Sequence, residues 1–306
     1  MKIFTHKHPI PDNFKHAVVA IGNFDGMHQG HRALIDQAAQ LAKKQNVPLG
    51  ILTFEPHPRC VFQPHESPFR ITPPSVKQEK IAETDVDFLV EINFTREFAQ
   101  KSADDFVKDV LIKQLDAKHI FIGTDFHFGQ NRLGSANTIK NHGLDVQSVI
   151  IVEDEHKQKY SASRVRSHLR RGMIAEANTI LGWNWEIRGT VIHGDKRGRE
   201  MGYPTANVSL GKTLHPAFGV YATFVQIEGE DIWRPAATNI GIRPMFETQD
   251  ALIESFILDF DGDLYDKILR IRPVQKIRDE ARFNSLDELI LQIDKDCTTI
   301  RKLLNA

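Results

Sequence analysis

The feature that most constrains this 306-residue chain is the alternation of short apolar runs with helical patterns in its first half. The runs are rich in Val and Ile, and they occupy residues 17–21, 49–54, 88–92, 119–123 and 149–152. Helical patterns at 31–45 and 103–115 lie between runs. Short runs of this kind are typical of parallel strands that are buried on both faces. The first half therefore predicts a doubly wound parallel α/β sheet.

The second half changes character after a helical stretch at 163–181, which Gly182 ends as a typical helix stop. Strand patterns at 185–193, 219–227 and 252–260 follow, and they predict a small antiparallel β-barrel. A helical pattern at 285–304 closes the chain. At about 100–200 residues per domain, we predict two domains, residues 1–183 and 184–306.

Composition disfavours several classes of protein. The chain has 39 basic and 40 acidic side chains, whereas a nucleic-acid-binding domain usually has a basic excess. No run approaches the roughly 20 apolar residues of a membrane span, and residues 1–10 lack the apolar core of a signal peptide. Cys60 and Cys297 form no motif, which fits a reducing compartment. We expect a cytoplasmic protein with small-molecule partners and with neither nucleic-acid nor membrane partners.

A glycine-rich motif with two histidines, G-N-F-D-G-M-H-Q-G-H at 22–31, follows the first buried run and opens the first helical pattern. Ligands of doubly wound sheets bind at this edge, and a helix N-terminus suits phosphate. His28 and His31, three residues apart, can project to one side of the turn and donate hydrogen bonds to phosphates. Histidines at this spacing are also compatible with a metal pair or with a solvated surface, but the preceding strand and the glycines favour phosphate.

A second candidate phosphate contact is S-A-S-R-V-R at 161–166. Ser161 and Ser163 can cap a helix, and the guanidinium groups of Arg164 and Arg166 can pair with phosphate. The alternative is an ordinary capped helix with two solvated arginines.

In the second half, the segment 194–207 reads G-D-K-R-G-R-E-M-G-Y-P-T-A-N and is not a Walker A loop. Its glycines and basic side chains can cover phosphates. Thr205 and Asn207, two apart, share a face on which a hydroxyl and an amide oxygen can hold Mg²⁺ with ATP phosphates. The alternative is a simple loop with a polar strand start.

In the third strand pattern of this half, Glu254 lies on the same face of the strand as Leu252, Phe256 and Leu258. If that face is inward, its carboxylate enters an apolar interior, which is costly unless the group has a partner or a task. One such task is that of general base for a substrate hydroxyl. The alternative is an ion-paired glutamate at the barrel rim.

Together, these motifs resemble those of the prokaryotic bifunctional riboflavin kinase/FMN adenylyltransferases. The segment 22–31 is similar to that family's nucleotidyltransferase motif, and further similar pieces occur in the family's order at 53–58, 123–129, 161–166, 204–207, 219–221, 239–244 and 258–265. The resemblance runs from about residue 14 to 304. The chain departs from the family pattern at Ala162, where a serine hydroxyl of the pattern is missing and no catalytic role is assigned. It also departs at Met245 and at 183–185, and neither of these changes removes a chemical group on which the interpretation depends.

The resemblance implies a nucleotidyltransferase-like first domain that converts FMN to FAD with release of pyrophosphate. It implies a second domain that phosphorylates riboflavin to FMN, with ATP as co-substrate of both steps and Mg²⁺ as cofactor. In these reactions His28 and His31 stabilise phosphate charge, Glu254 activates the riboflavin hydroxyl, and Thr205 and Asn207 hold the metal. The residues expected to bind flavin or nucleotide are Gly22, Asn23, Phe24, Asp25, Asp125, Phe126, Ser163, Arg164, Arg166, Gly194, Lys196, Gly198, Arg199, Gly202, Thr205 and Asn207.

Three other functions are compatible with parts of the sequence. A kinase whose first domain no longer catalyses is disfavoured by the intact His28/His31 pair. A flavin-binding regulatory protein without turnover is disfavoured by the presence of Thr205, Asn207 and Glu254. A tRNA-related nucleotidyltransferase is disfavoured by the neutral net charge and by the kinase-like second half.

Overall fold

The sheet of the first half is parallel and has six strands in the order β1-β4-β3-β2-β5-β6. Its strands are β1 (Lys2–Thr5), β2 (Val18–Ile21), β3 (Leu49–Glu55), β4 (Phe88–Asn93), β5 (His119–Gly123) and β6 (Asp145–Val149). This computed structural model describes residues 1–5, 8–149, 152–193, 198, 201–242 and 251–305. Contacts divide the chain into two units, Met1–Ala162 and Ser163–Ala306, each of which is described by itself.

The strand order of the first unit reverses at β2. From β2 the chain continues to β3 and β4 on one side, and it returns to β5 and β6 on the other. The carboxyl ends of β2 and β5 therefore lie side by side at a topological switch point, which is where doubly wound sheets bind ligands.

Helices cover both faces of this sheet. They are α1 (Gln29–Gln45), α2 (Pro58–Phe62), α3 (Pro74–Ala82), α4 (Ala103–Asp105), which continues as a π-helix (Phe106–Gln114), and α5 (Ala136–Asn141). On one face Leu34 and Ala38 of α1 pack with Ala20 of β2. On the other face Phe106 and Val110 pack with Ile21. The prediction of a doubly wound parallel sheet is confirmed.

Two edge strands differ from the sequence expectation. β1 was not predicted, because three of its four residues are exposed and it carries no buried run. A strand was expected at 149–152, but β6 spans Asp145–Val149 and has only two buried positions. Residues 150 and 151 lie outside the described residues. An edge strand buries less of its surface, so it lacks the unbroken apolar run that marks the inner strands.

The second unit is a closed antiparallel barrel with strand order β10-β11-β8-β7-β12-β9. Its elements are α6 (Ala162–Arg170), α7 (Ile174–Leu181), β7 (Ile187–Ile192), β8 (Ala206–Ser209), β9 (Gly219–Ile227), β10 (Arg234–Ile242), β11 (Ala251–Ile257), β12 (Ile268–Arg278) and α8 (Leu286–Leu304). Pairing of β9 with β10 closes the barrel. The predicted barrel and C-terminal helix are confirmed.

The helical stretch predicted at 163–181 is two helices rather than one. Between α6 and α7, Gly172 has φ +74°, a left-handed conformation that favours glycine. A Cβ at this position would lie 2.9 Å from the Lys276 side chain. Gly182, also left-handed, ends α7 as predicted.

The outer wall of the barrel contains a buried charge cluster centred on Glu186, which is 1% exposed. Its carboxylate accepts hydrogen bonds from Arg188 at 2.6 Å, Arg270 at 2.9 Å and Arg272 at 3.1 Å. Burial raises the pKa of this carboxyl, but the hydrogen bond from Arg270 and the charge of Arg188 outweigh burial and lower it. The folded unit is therefore stabilised by the ionised form of Glu186.

We predict that Glu186→Gln lowers the free energy of unfolding of the second unit by about 3 kcal/mol, because three arginines lose their common carboxylate. Trp183, Trp185 and Trp233 all belong to this unit, so tryptophan fluorescence during urea unfolding reports on it alone. Since the pKa is lower in the folded state, the difference from wild type should be full above the ordinary value of 4.5 and shrink as pH falls below it.

The matched control is Asp259→Asn, which removes the carboxylate partner of Arg301 on the surface of the same unit, where the Asp259 side chain is 73% exposed. This variant should unfold much closer to wild type. Equal losses in the two variants would contradict a special role for the Glu186 cluster.

Candidate active sites

The turn 22–31 leaves the carboxyl end of β2 and enters α1 at His28, which is the N-cap residue. The His28 Nδ1 atom accepts a hydrogen bond from the His31 N–H at 3.3 Å. Because an accepting Nδ1 carries no hydrogen, the neutral His28 ring has its N–H at Nε2. The first turn of α1 contains no acidic residue, so no carboxylate of its own offsets the positive end of the helix dipole.

The two histidine rings stack on each other, with centroids 3.6 Å apart and planes 20° apart. Phe24 packs edge-on against His31 at 5.2 Å, and its side chain is fully buried. The predicted pair is therefore brought together as a stacked unit, with Phe24 as its support. Gly30 leaves room for this stack, because a Cβ there would lie 3.0 Å from the Tyr160 carbonyl oxygen and 3.2 Å from the His28 ring.

Asp25 fastens the turn to the chain segment ahead of α3. Its buried carboxylate accepts hydrogen bonds from the backbone N–H groups of Ile71 at 3.0 Å and Thr72 at 3.1 Å, and from the Thr72 hydroxyl at 3.3 Å. The structure thus places Phe24 and Asp25 beneath the surface of the turn. Gly22 is half-buried, and Asn23 is exposed at the start of the turn.

Asp125 and Phe126 follow β5, the neighbour of β2, with Asp125 exposed and Phe126 half-buried. The Phe126 ring stacks on Phe128 at 5.8 Å. A cavity of about 140 Å³ lies at this strand end, lined in part by Gly123, Thr124 and Phe126. Pairing of β2 with β5 therefore brings this turn and the histidine turn to the same edge of the sheet.

A buried charge cluster beside this edge was not predicted. Glu55, at the end of β3, forms two hydrogen bonds with Arg70, at 2.7 and 2.8 Å, and pairs with Lys77 at 2.5 Å. Burial, the largest effect on Lys77, lowers its pKa, while burial of Glu55 is outweighed by its two cations, which lower its pKa. The sequence did contain one signal for this cluster. Lys77 lies four residues before Ile81, so it falls on the apolar face of the helix, where a charged side chain needs a buried partner.

In the second unit, strand register aligns three polar side chains in one row. Glu254 of β11 lies directly opposite Asn207 of β8 and Asn239 of β10. Residues directly opposite each other in antiparallel strands project to the same face. Asn207 and Glu254 are thus brought together, and Asn239 is a neighbour whose place in this row was not predicted.

The predicted inward orientation of Glu254 is wrong. The buried positions of β11 are the odd-numbered ones, such as Ile253 and Ser255, whereas Glu254 is half-buried on the outer face with Leu252 and Phe256. Apolar side chains on this outer face made it resemble a core face, but α8 covers part of it. Phe256 packs there in a cluster with Cys297 and Ile300 of that helix.

Thr205 is half-buried, and its carbonyl accepts a hydrogen bond from the Asn207 amide at 3.5 Å. The Gly198 carbonyl accepts hydrogen bonds from the N–H groups of Met201 and Tyr203. Gly202 has φ +85° with open space around its Cα. These contacts tie Met201 and Tyr203 to Gly198 just before β8. Gly194, Lys196 and Arg199 lie outside the described residues.

Ser163, Arg164 and Arg166 lie on α6 and are grouped with the second unit. Ser163 is exposed, and both arginines are half-buried. Burial lowers the pKa of His168, and the charge of Arg164 lowers it further. Their predicted role in phosphate binding stays a prediction.

Comparison with known proteins matches a FAD synthetase family model to residues 10–168 and a riboflavin kinase model to residues 181–304. The bifunctional riboflavin kinase/FMN adenylyltransferase of Escherichia coli K12 is 38% identical over 288 residues, which cover 93% of this chain and 92% of that protein. The enzyme of the same name from Listeria monocytogenes is 36% identical over 284 residues, covering 91% and 90%.

The chain belongs to the bifunctional riboflavin kinase/FMN adenylyltransferase family. Riboflavin phosphorylation is assigned to the C-terminal part and FMN adenylylation to the N-terminal part, with ATP as co-substrate of both, and the predicted family and function are confirmed. A crystal structure described as a macrolide-efflux protein from Streptococcus pneumoniae has a TM-score of 0.86 at 32% identity, covering 98% of this chain and 99% of that one.

None of the helices that the structure describes combines the length and the apolar character needed to cross a membrane. The FAD synthetase match extends six residues past the first unit and includes the start of α6. The predicted domain boundary at 183/184 stays a prediction.

We predict that Gly30→Ala lowers the rate of FAD formation from supplied FMN at least about tenfold, because the new methyl group displaces the His28 ring from its stack. Alanine is otherwise the better helix residue, so helix propensity would not account for a loss. Flavins are separated by chromatography over time. FMN formation from riboflavin by the same preparation is the control and should not change. Wild-type FAD formation would contradict the steric argument.

Proposed function

We propose that the turn 22–31 is where this family member transfers the adenylyl group. An FMN phosphate oxygen attacks the α-phosphate of ATP, the new P–O bond forms as the bond to the leaving pyrophosphate breaks, and no protein nucleophile takes part. Catalysis then depends on positioning and on stabilising charge. The observation that carries this proposal is the stacked pair of His28 and His31 at the N-terminus of α1.

The tautomer of His28 determines which of its ring nitrogens can donate a hydrogen bond to substrate. With Nδ1 accepting from the His31 N–H, the Nε2–H donates to a phosphate oxygen and stabilises the charge that develops there. His31, held between His28 and Phe24, takes the same role on a neighbouring phosphate oxygen. The exposed amide of Asn23 lies at the start of the turn and contacts the reacting phosphate.

The turn after β5 is proposed to hold the flavin or the nucleotide. The cavity beside Phe126 lies at the end of β5, the strand that pairs with β2, and Ser148 of β6 is also part of its lining. Its mixed lining, with an aromatic ring and polar groups, suits a planar ring system that carries polar edges. The exposed carboxylate of Asp125 can accept hydrogen bonds from such an edge. The roles of Ser163, Arg164 and Arg166 are supported by the FAD synthetase match, which includes them.

For the kinase reaction, we propose that the Glu254 carboxylate accepts the proton of a riboflavin hydroxyl. The hydroxyl oxygen then attacks the γ-phosphate of ATP, and ADP leaves. The row of Glu254, Asn207 and Asn239 supports this role, because neutral amides on both sides leave the carboxylate as the only titratable group of the row. The half-buried position limits solvent competition for the proton.

Asn207 of this row and Thr205, two residues before it, form a set that fits Mg²⁺. The hydroxyl of Thr205 and the amide oxygen of Asn207 are hard oxygen donors, and Glu254 supplies a nearby negative charge. Among the described residues, no group of three or more His, Cys, Asp or Glu side chains forms a metal site, which suits an ion held mainly by ATP phosphates and water. When bound, Mg²⁺ would neutralise phosphate charge. We propose, from the sequence, that phosphates are also contacted by Gly194, Lys196, Gly198, Arg199 and Gly202.

We further propose that residues 1–183 act as the adenylyltransferase domain and 184–306 as the kinase domain, supported by family matches that end at 168 and begin at 181. A cytoplasmic location is proposed on the basis of two cysteines, both free thiols.

The two activities should separate in a crossed pair of variants. The double variant His28→Ala with His31→Ala should lose FAD formation from FMN by about a hundredfold or more and keep FMN formation from riboflavin. Glu254→Gln should show the reverse, with loss of FMN formation and normal FAD formation from supplied FMN. The assay is a chromatographic time course with ATP and Mg²⁺. Loss of both activities in each folded variant would refute the assignment of these residues to separate reactions.

Removal of a metal ligand should appear as a change in metal requirement. We expect Asn207→Ala to raise the Mg²⁺ concentration for half-maximal FMN formation about tenfold, as for loss of one contact to a charged group. The matched control is Ser209→Ala, on the same strand and face two residues along, with an unchanged requirement. An unchanged requirement in Asn207→Ala would remove this residue from the proposed metal site.

A further inference from the structure

Lys77 is a buried lysine beneath the histidine turn. It lies on α3 and is 1% exposed. Its ammonium group is 2.5 Å from Glu55 Oε1, 3.2 Å from the Thr53 hydroxyl and 3.5 Å from the Phe54 carbonyl oxygen. Burying a charged amine is costly unless each hydrogen has a partner, and these three contacts supply one for each.

The need to neutralise the Glu55 carboxylate does not explain why a lysine is buried at position 77. The Glu55 carboxylate already forms two hydrogen bonds with Arg70, one from each terminal nitrogen of the guanidinium. A bidentate arginine pair of this kind satisfies a carboxylate by itself. The contacts that Lys77 makes and Arg70 does not are those with the Thr53 hydroxyl and, at the longer distance of 3.5 Å, with the Phe54 carbonyl oxygen.

The Thr53 hydroxyl is oriented by its two neighbours. An ammonium group only donates, so the Thr53 oxygen accepts from Lys77, and its single hydrogen is directed to the Asn23 carbonyl oxygen at 3.2 Å. Because each hydrogen bond in such a chain polarises the next, the charge of Lys77 strengthens the hydrogen bond from the Thr53 hydroxyl to the Asn23 carbonyl oxygen. Thr53 is itself fully buried, so water does not compete for this hydrogen.

The Asn23 peptide is where β2 has ended and the turn begins. One residue earlier, the Gly22 N–H still donates to the Leu52 carbonyl at 3.1 Å in the manner of the sheet. One residue further along, the Asn23 carbonyl accepts a hydrogen bond from the Thr53 side chain. The hydroxyl therefore extends the attachment of the turn to β3 by one residue.

We propose that Lys77 is a positioning residue for adenylyl transfer, holding the Asn23 main chain through the Thr53 hydroxyl. This inference rests on the proposed role of the turn 22–31. Lys77 does not touch substrate. It fixes the peptide from which the Asn23 side chain projects, and that peptide leads into the His28/His31 stack.

Lys77→Met keeps much of the volume of the side chain and leaves the Glu55–Arg70 pair intact. We expect kcat for FAD formation from FMN to fall about tenfold to a hundredfold, the effect typical of lost outer contacts that orient a site. KM for FMN and for ATP should stay within about threefold. Thr53→Val should act in the same direction, and the double variant should be no slower than the slower single variant, because both changes break one chain of bonds.

Two further variants separate positioning from packing. Thr53→Ser keeps the hydroxyl and loses a methyl group, so positioning predicts near-wild-type kcat for Thr53→Ser and a low value for Thr53→Val, whereas a packing role predicts the reverse. The matched control is Lys80→Met, which removes a buried lysine of the same helix that pairs with Glu83. The unchanged KM values for FMN and ATP report that the first unit is folded, and FMN formation from riboflavin, a reaction of the second unit, should be unchanged in each preparation.

The inference is overturned if Lys77→Met keeps wild-type kcat, if it loses no more than Lys80→Met, or if Thr53→Val is faster than Thr53→Ser. Asn23→Ala tests the proposed site separately. A low kcat in Asn23→Ala with normal kcat in Lys77→Met removes only the role of Lys77. Normal kcat in Asn23→Ala removes the proposed site, and the role of Lys77 with it.

Discussion

Backbone hydrogen-bond register between neighbouring strands is the constraint on which both sites depend. In the first unit, β2 pairs in parallel with β3 and with β5, so three strand ends and their turns meet at one edge. In the second unit, antiparallel register sets Asn207, Glu254 and Asn239 directly opposite one another. A slip of one residue in either sheet would send these side chains to the other face or move the turns apart.

Buried charges then fix what register brings together. Asp25 ties the histidine turn to residues 71–72, and Glu55 gathers Arg70 and Lys77 beneath the same turn. Glu186 does similar work on the barrel wall with its three arginines. Removing one member of such a cluster is costly because its partners stay buried, but the cluster as a whole adds little net stability over an apolar replacement, because desolvation offsets much of the attraction. Their value here is geometric, since each has several directed partners and tolerates few alternative arrangements.

The two reactions require different chemical groups, and the candidate sites of the two units differ accordingly. Adenylyl transfer needs donors aimed at phosphate, and we propose the helix N-terminus with its stacked imidazole pair as their source. Riboflavin phosphorylation needs a base for a hydroxyl and a place for the ATP phosphates, and we propose the half-buried carboxylate in its row of amides for this task. The chain therefore joins a parallel sheet, with a candidate site at its strand ends, to a barrel, with a candidate site on its outer wall.

The sequence by itself determined the fold class and the order of the two activities. Unbroken apolar runs required strands buried on both faces, and the motif at 22–31 marked the strand end at which we propose phosphate binding. It also supplied Asn207 and Glu254 as candidates, but it could not show that they are neighbours, because cross-strand register is not a local property.

Only the tertiary structure decided which face of β11 is inward. Side chains alternate between the two faces of β11 whichever face is inward, so the alternation does not show which face it is. The outer face, with Leu252 and Phe256, is also apolar and resembles a core face, because α8 covers part of it. The edge strands were obscured for a related reason, since partial burial leaves no continuous apolar run. The network of Glu55, Arg70 and Lys77 joins residues 15 and 22 positions apart, and only folding brings those charges into one buried cluster.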